Sequence, residues 1–133
     1  MSLDIRIWDV NHGNSASIKL PNGKVMMIDC VRNPKTDFSP ITLTKNMWNC
    51  KSLDYLIVSH PHMDHISDIL KIDEVDLNKF RRPPVPQEKL LYNDKGEKLT
   101  GTKFDIINKY IELDNRFTEQ ASPNDKLESP EWS

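Results

Sequence analysis

The sequence predicts an α+β domain, a mixed β-sheet with flanking helices (α/β in the broad sense). Three observations carry this. The stretch LDIRIWDV alternates apolar and polar residues, PNG marks a tight turn between two short β-type runs, and the apolar run DYLIV leads directly into an apparent helix. Leu, Ile, Val and Phe make up about a quarter of the 133 residues, above the roughly 20% typical of disordered chains. The chain is thus long and apolar enough for one compact domain with a modest core.

The elements follow in order. In Leu3–Val10, Leu3, Ile5 and Ile7 share one face and Asp4 and Arg6 the other, the pattern of a half-buried strand. Asn11–Ser15 (NHGNS) breaks it. Ala16–Leu20 and Lys24–Ile28 form a hairpin about Pro21-Asn22-Gly23, since Asn-Gly accepts positive φ at little cost. Arg32–Pro40 is a loop, and Ile41–Trp48 a short helix. Asp54–Val58 lacks alternation and suits a central strand buried on both faces. Helical spacing of Ile66, Ile69 and Leu70 extends from His65 to about Lys71.

The prolines of RRPPVP, residues 81–86, exclude helix there. Asn93–Gly96 is a turn between two short strands. Thr102–Phe117 is the clearest helix, with Thr102 and Asp105 placed as a capping box and Phe104, Ile107, Ile111 and Phe117 lining one face beside Tyr110. Residues 1–117 are expected to form the domain, and 118–133 a polar tail or linker.

Net charge is −2, with no block of one sign to mark a nucleic-acid arm. The longest apolar runs, Val25–Ile28 and Tyr55–Val58, are far short of the roughly 20 residues of a membrane span. No apolar segment of signal-peptide type follows Met1, so a cytoplasmic location is expected. Cys30 and Cys50 are too few for a disulfide framework and read as free, buried thiols.

The chemistry concentrates in one place. Of four histidines, three lie in His60-Pro61-His62-Met63-Asp64-His65, at the carboxyl end of the presumed central strand. Imidazole and carboxylate are the usual nitrogen and oxygen ligands of zinc and similar divalent ions. Along an extended segment His60 and His62 point the same way and reach one ion, while Asp64 and His65, at the turn into the helix, face a second. Solvated loop histidines are the plain alternative. Lys79, Arg81 and Arg82 form a small basic cluster on a proline-rich loop, suited to a phosphodiester or to solvent alone. Trp8, Met26, Met27 and Trp48 are candidates for the core or for an apolar sheet face left open.

HPHMDH resembles the H-x-H-x-D-H signature of the metallo-β-lactamase superfamily, and residues 3–30 resemble that fold's opening strand, hairpin and strand-end aspartate. The stretch Asp9–Ser15 (DVNHGNS) is nearest to the hydrolase domain of DNA-uptake competence proteins, with Gly13 and Ser15 fitting and Asn11 and Asn14 departing from its Gly and Asp. The resemblance implies the first half of an αββα sandwich. It implies His60 and His62 on a first metal, Asp64 and His65 on a second, and Asp64 orienting or deprotonating a water. Asp29 becomes a hydrogen-bond partner beneath the metal loop, and His12 either reaches the site mouth or is solvated. The cofactor implied is zinc, up to two ions, with manganese as a substitute.

The family's remaining ligands, a further aspartate and histidines, come from later in its chain, and this sequence has no histidine after His65. The resemblance therefore implies a metal-dependent hydrolase lineage, acting on a phosphodiester or nucleic acid, present as an amino-terminal half. Its partner would be a complementary carboxy-terminal half. The alternatives are a non-catalytic fragment and one subunit of a split enzyme.

Overall fold

The structure is a computed structural model, in which residues 2–11 and 13–118 are described. Five strands form one mixed sheet in sequence order: β1 (Asp4–Ile7), β2 (Ala16–Lys19), β3 (Val25–Ile28), β4 (Ser52–Ile57) and β5 (Asp76–Arg81). The first three make an antiparallel meander, with Ile5 opposite Ile18 and Ile18 opposite Met26. β4 and β5 are then added parallel, Met26 facing Tyr55 and Tyr55 facing Lys79. The helices are α1 (Pro40–Met47), α2 (Met63–Ile66), α3 (Gln87–Leu90) and α4 (Gly101–Arg116), with a 3₁₀ stretch at Ile69–Glu74. No helix among the described residues is long and apolar enough to cross a membrane.

The main core lies on one sheet face. Met27, Leu56 and Phe80 meet Ile41 of α1, Ile66 of α2, Ile69 and Ile72 of the 3₁₀ stretch, and Ile106, Ile107, Tyr110 and Leu113 of α4. Phe80 and Tyr110 pack edge to face at 5.6 Å, the orientation aromatic quadrupoles favour. A smaller cluster, Ile18, Leu20, Met26 and Tyr55, occupies the opposite side, and no described helix residue joins it. Met26 and Met27 are thus both buried, while Trp8 and Trp48 are half-buried.

Polar groups tie α1 down at its start and midway along it. Ser39 caps it, accepting from the Thr42 N–H, so the helix begins at Pro40, one residue before the expected start. The same hydroxyl donates to Asp68 at 2.8 Å, and the Ile41 N–H donates to the same carboxylate oxygen at 2.9 Å. On the sheet side the Thr44 hydroxyl meets the Ser17 hydroxyl at 2.6 Å, and Ser17 also accepts from the Trp8 indole.

Several expectations are corrected. The helix read from His65 to Lys71 breaks into α2 and the 3₁₀ stretch, because the His65 carbonyl accepts from the Cys30 N–H and the Asp68 N–H donates to the Cys30 carbonyl. Both groups are thereby lost to helical bonding. β5 and α3 were not expected. In DLNKFR the apolar Leu77 and Phe80 stand three apart, which hides the strand's period of two. β1 is shorter than Leu3–Val10, and Leu3, Ile5 and Ile7, the face expected to be buried, are 49%, 53% and 80% exposed. β4 begins earlier than expected, at Ser52.

The Thr102 capping box does not form; Thr102 lies within α4 and Thr100 holds the cap position without a side-chain bond. The buried stripe of α4 runs through Ile106, Ile107, Tyr110 and Leu113, while Phe104, Ile111 and Phe117 are only partly covered. The two strands expected around Asn93–Gly96 reduce to a single bridge, Tyr92 with Lys98. Cys30 is buried and Cys50 half-buried, both free; burial pushes the Cys30 thiol well above its ordinary pKa. Residues 119–133, most of the expected tail, lie outside the described residues.

Arg82 departs furthest from expectation. It is not part of a surface basic cluster but fully buried, paired with Asp114 at 2.7 Å and donating to the Phe80 and Asp114 carbonyls at 2.8 and 2.9 Å and to that of Phe117. Lys79 and Arg81 belong to β5, not to a proline-rich loop. Removing one partner of a buried, hydrogen-bonded ion pair strands the other, so Arg82→Ala is expected to cost about 3–5 kcal/mol in urea unfolding. A loss no greater than that of an exposed arginine would contradict this burial.

Asp68 gives a pH signature. Burial raises its pKa from 3.8 to about 6, against the opposing pull of the Ile41 N–H and the Ser39 hydroxyl. Below about pH 4 the carboxyl is protonated in both native and unfolded chains, and between about 4 and 6 only the native chain holds the proton. Its stabilisation is therefore complete at low pH and is lost as pH rises through 6. Relative to Asp68→Asn, the unmodified chain should lose on the order of 2 kcal/mol between pH 4 and pH 7, read from urea unfolding at each pH. Parallel pH profiles for the two proteins would refute it.

Candidate metal centre

The site forms where β3 and β4 end side by side. The parallel ladder continues one step past them: the Asp29 N–H donates to the Ile57 carbonyl at 2.7 Å and the Val58 N–H to the Arg81 carbonyl at 2.9 Å. Asp29 then turns the chain with φ of +54°, a left-handed conformation that aspartate tolerates better than most side chains. Its side chain is thereby directed across at the next strand's loop, although the residue is 4% exposed.

The Asp29 carboxylate is the hub. One oxygen accepts from the Ser59 N–H at 2.8 Å; the other meets the Ser59 hydroxyl and the His65 Nδ1, each at 2.8 Å. Ser59 also lies 3.2 Å from the His65 Nδ1. Main-chain bonds hold the rest of the loop. The His65 and Ile66 N–H groups donate to the His62 carbonyl, closing α2, and Cys30 bonds to both His65 and Asp68. The Arg32 N–H donates to the Ser67 hydroxyl at 2.9 Å, and the Ser15 hydroxyl donates to the Asp29 carbonyl at 3.0 Å.

The structure places the sequence-selected donors as follows. His60 and His62 are exposed, their rings nearly parallel with centroids 6.0 Å apart. The His60 ring is 5.5 Å from that of His65. Asp64 is exposed, its carboxylate 3.7 Å from the His65 Nε2. Among the described residues, no three His, Cys, Asp or Glu side chains are gathered so as to hold one ion together. The donor set fits a zinc-class ion in kind, three imidazoles and a carboxylate crowded on one loop. With Nδ1 engaged by Asp29, His65 has Nε2 left for a ligand role, the usual arrangement of a metal-binding histidine. His12 lies outside the described residues.

The model of one protein family, the metallo-beta-lactamase superfamily, matches residues 8–127. The chain belongs to that superfamily. No curated protein matches it. The mixed five-stranded sheet with flanking helices agrees with a metallo-beta-lactamase-type domain, and membership points to a family of metal-dependent hydrolases. Superfamily members typically bind metal ions.

Sequence reasoning missed Ser59 and the structural part played by Ser15 and Ser67. The signal was faint: serine is common in loops, and only its position directly before His60 sets Ser59 apart. It also missed why Gly13 is a glycine. Gly13 has φ of +83°, and a Cβ there would stand 2.0 Å from the Asp64 carbonyl oxygen. The β1–β2 connection is thus pressed against the backbone of the donor loop. Gly13→Ala should cost about 1–3 kcal/mol and speed amide exchange at residues 62–65, measured by hydrogen exchange. Unchanged exchange in that loop would show that the contact positions nothing.

Proposed function

We propose that this chain is a metal-dependent hydrolase domain in which His60, His62, Asp64 and His65 hold up to two zinc ions, or manganese in their place. The observation that carries the reading is the 2.8 Å bond between Asp29 and the His65 Nδ1, which fixes the ring and reserves its Nε2 beside Asp64 and His60. A bound zinc-class ion would supply hydroxide near neutral pH by lowering the pKa of its water to about 7. Within the chain, Asp29 orients His65, Ser59 braces Asp29, and the Asp64 carboxylate would orient an attacking water or take its proton.

A phosphodiester, including a nucleic-acid backbone, is the proposed substrate class. Two things support it: the likeness of Asp9–Ser15 to the hydrolase domain of DNA-uptake competence proteins, and a 330 Å³ cavity lined by Lys79, Arg81 and Arg116 with Asn78, Phe117 and Thr118. Arg81 lies next to the donor loop, its carbonyl accepting from Val58. Arginine and lysine recognise phosphate oxygens by charge and by forked hydrogen bonds.

A catalytic zinc usually takes three protein ligands, and four donors are too few for two such ions. We propose that donors from outside these 133 residues complete the set, as a complementary carboxy-terminal half would. The second reading, a domain that binds metal weakly and turns nothing over alone, is favoured by the lack of convergence of three described donors.

Zinc titration of the purified chain tests the reading. Binding should be abolished by His62→Ala and weakened roughly 10–100-fold by Asp29→Asn, which keeps the shape but loses the charge that orients His65. A chain that takes up no zinc overturns it. Hydrolysis of bis(p-nitrophenyl) phosphate by the zinc-loaded chain alone would reject the second reading. Activity appearing only on co-expression with a carboxy-terminal half would support completion from outside.

A further inference from the structure

We infer that two copies of this chain pair antiparallel through β1, in a register centred on Ile5. β1 is an edge of the sheet, and among the described residues only β2 pairs with it. The Trp8 N–H donates to the Ser15 carbonyl at 3.0 Å, so by alternation Asp4, Arg6 and Trp8 direct their backbone groups at β2. Ile5 and Ile7, and Leu3 by the same alternation, direct theirs at the open edge. An edge of this kind is a template for another strand.

The side chains say which strand. Leu3, Ile5 and Ile7, on the sheet face away from the helices, account for half of the large apolar residues left exposed among the described residues. On the helix side Asp4 and Arg6 form an ion pair at 2.9 Å. Set antiparallel about a two-fold axis at Ile5, two copies place Ile5 opposite Ile5, Leu3 opposite Ile7, and Asp4 opposite Arg6, on each side of the axis. The outward backbone groups of Leu3, Ile5 and Ile7 then face one another as bonding pairs, and opposite charges meet across the strands. Moving the register by two residues, the smallest shift that keeps the faces matched, sets Asp4 against Asp4 or Arg6 against Arg6. The sequence LDIRI is therefore self-complementary in one register, as a two-fold interface requires.

The pairing joins two five-stranded sheets edge to edge and makes their outer apolar strips continuous, Ile5 beside Ile18 and Ile18 beside Met26 in each copy. The interface is edge-on and leaves the donor loop, at the strand ends of β3 and β4, outside it. The proposal stands or falls without the metal reading.

Sedimentation equilibrium of the full chain tests it. The unmodified protein should dimerise reversibly between roughly 10 μM and 1 mM. Arg6→Asp sets acidic groups opposite Asp4 twice over and should weaken the dimer roughly tenfold, with an unchanged far-ultraviolet spectrum. The swap D4R/R6D, with K19E added because Lys19 lies opposite Asp4 on β2, should restore it. Ile5→Lys, which sets two ammonium groups at the axis, should abolish it and provides the second variant should R6D misfold. A monomer throughout that range, an R6D or I5K protein that dimerises like the parent, or a folded charge-swapped protein that stays as weak as R6D would each overturn the proposal.

Discussion

The Asp29 carboxylate is the constraint on which the site depends. It leaves β3 in a left-handed turn, and from there it binds Ser59, the second residue beyond β4, and the last histidine of the donor loop. A buried carboxylate is costly unless its lone pairs are used, and here a main-chain N–H, a hydroxyl and an imidazole use them. The arrangement also explains the topology around it. Parallel pairing of β3 with β4 is what sets two strand ends level, so that a side chain from one can reach the loop of the other. The crossover that such pairing requires is supplied by α1, capped by Ser39 and anchored on Asp68, which itself follows the donor loop. Loop and crossover thus hold each other in place.

The second organising feature is that the sheet is one-sided. Its helices cover the face of Met27, Leu56 and Phe80, whereas the face of Ile18, Met26 and Tyr55 gathers only a small cluster. Toward β1 this second face becomes exposed, with Ile7 at 80%. Toward β5 it turns polar: Lys79 lies over the Tyr55 ring at 5.0 Å and bonds its hydroxyl. The apolar character therefore fades across the sheet, and only the β1 margin combines open backbone groups with open aliphatic side chains.

How much of this the sequence disclosed follows from the range of the interactions involved. The hairpin about Asn22-Gly23, the strand into Ser59 and the clustering of donors in HPHMDH are local patterns, and their spacing can be read directly. What stayed hidden depends on partners distant in sequence. β5 shows no alternation because Leu77 and Phe80, three apart in sequence, both pack against the helix-side cluster. Arg82 looks like one more surface cation until Asp114, 32 residues on, is brought against it. The break after α2 is caused by Cys30, 35 residues upstream of His65, taking the carbonyl the helix needed. At the site, Asp29 stood out as a strand-end acid, but its bond to His65 and the pressure of Gly13 on Asp64 could be found only in three dimensions.

The same distinction bears on what the donor loop can do. Its backbone is held by bonds to Asp29 and Cys30, and the Ser67 hydroxyl that follows it accepts from the Arg32 N–H; none of these involves the imidazoles of His60 and His62. Those two side chains are exposed, so turning them toward a common point breaks no bond in the core and costs on the order of 1 kcal/mol each. A structural zinc site returns roughly 10 kcal/mol or more when four ligands close on it. Rotamer cost is therefore a minor term, and on the proposed reading affinity in this loop would be governed by how many donors can close on an ion. That places the weight on ligand supply rather than on loop order, and Asp29 matters because it fixes one of the few donors the loop has.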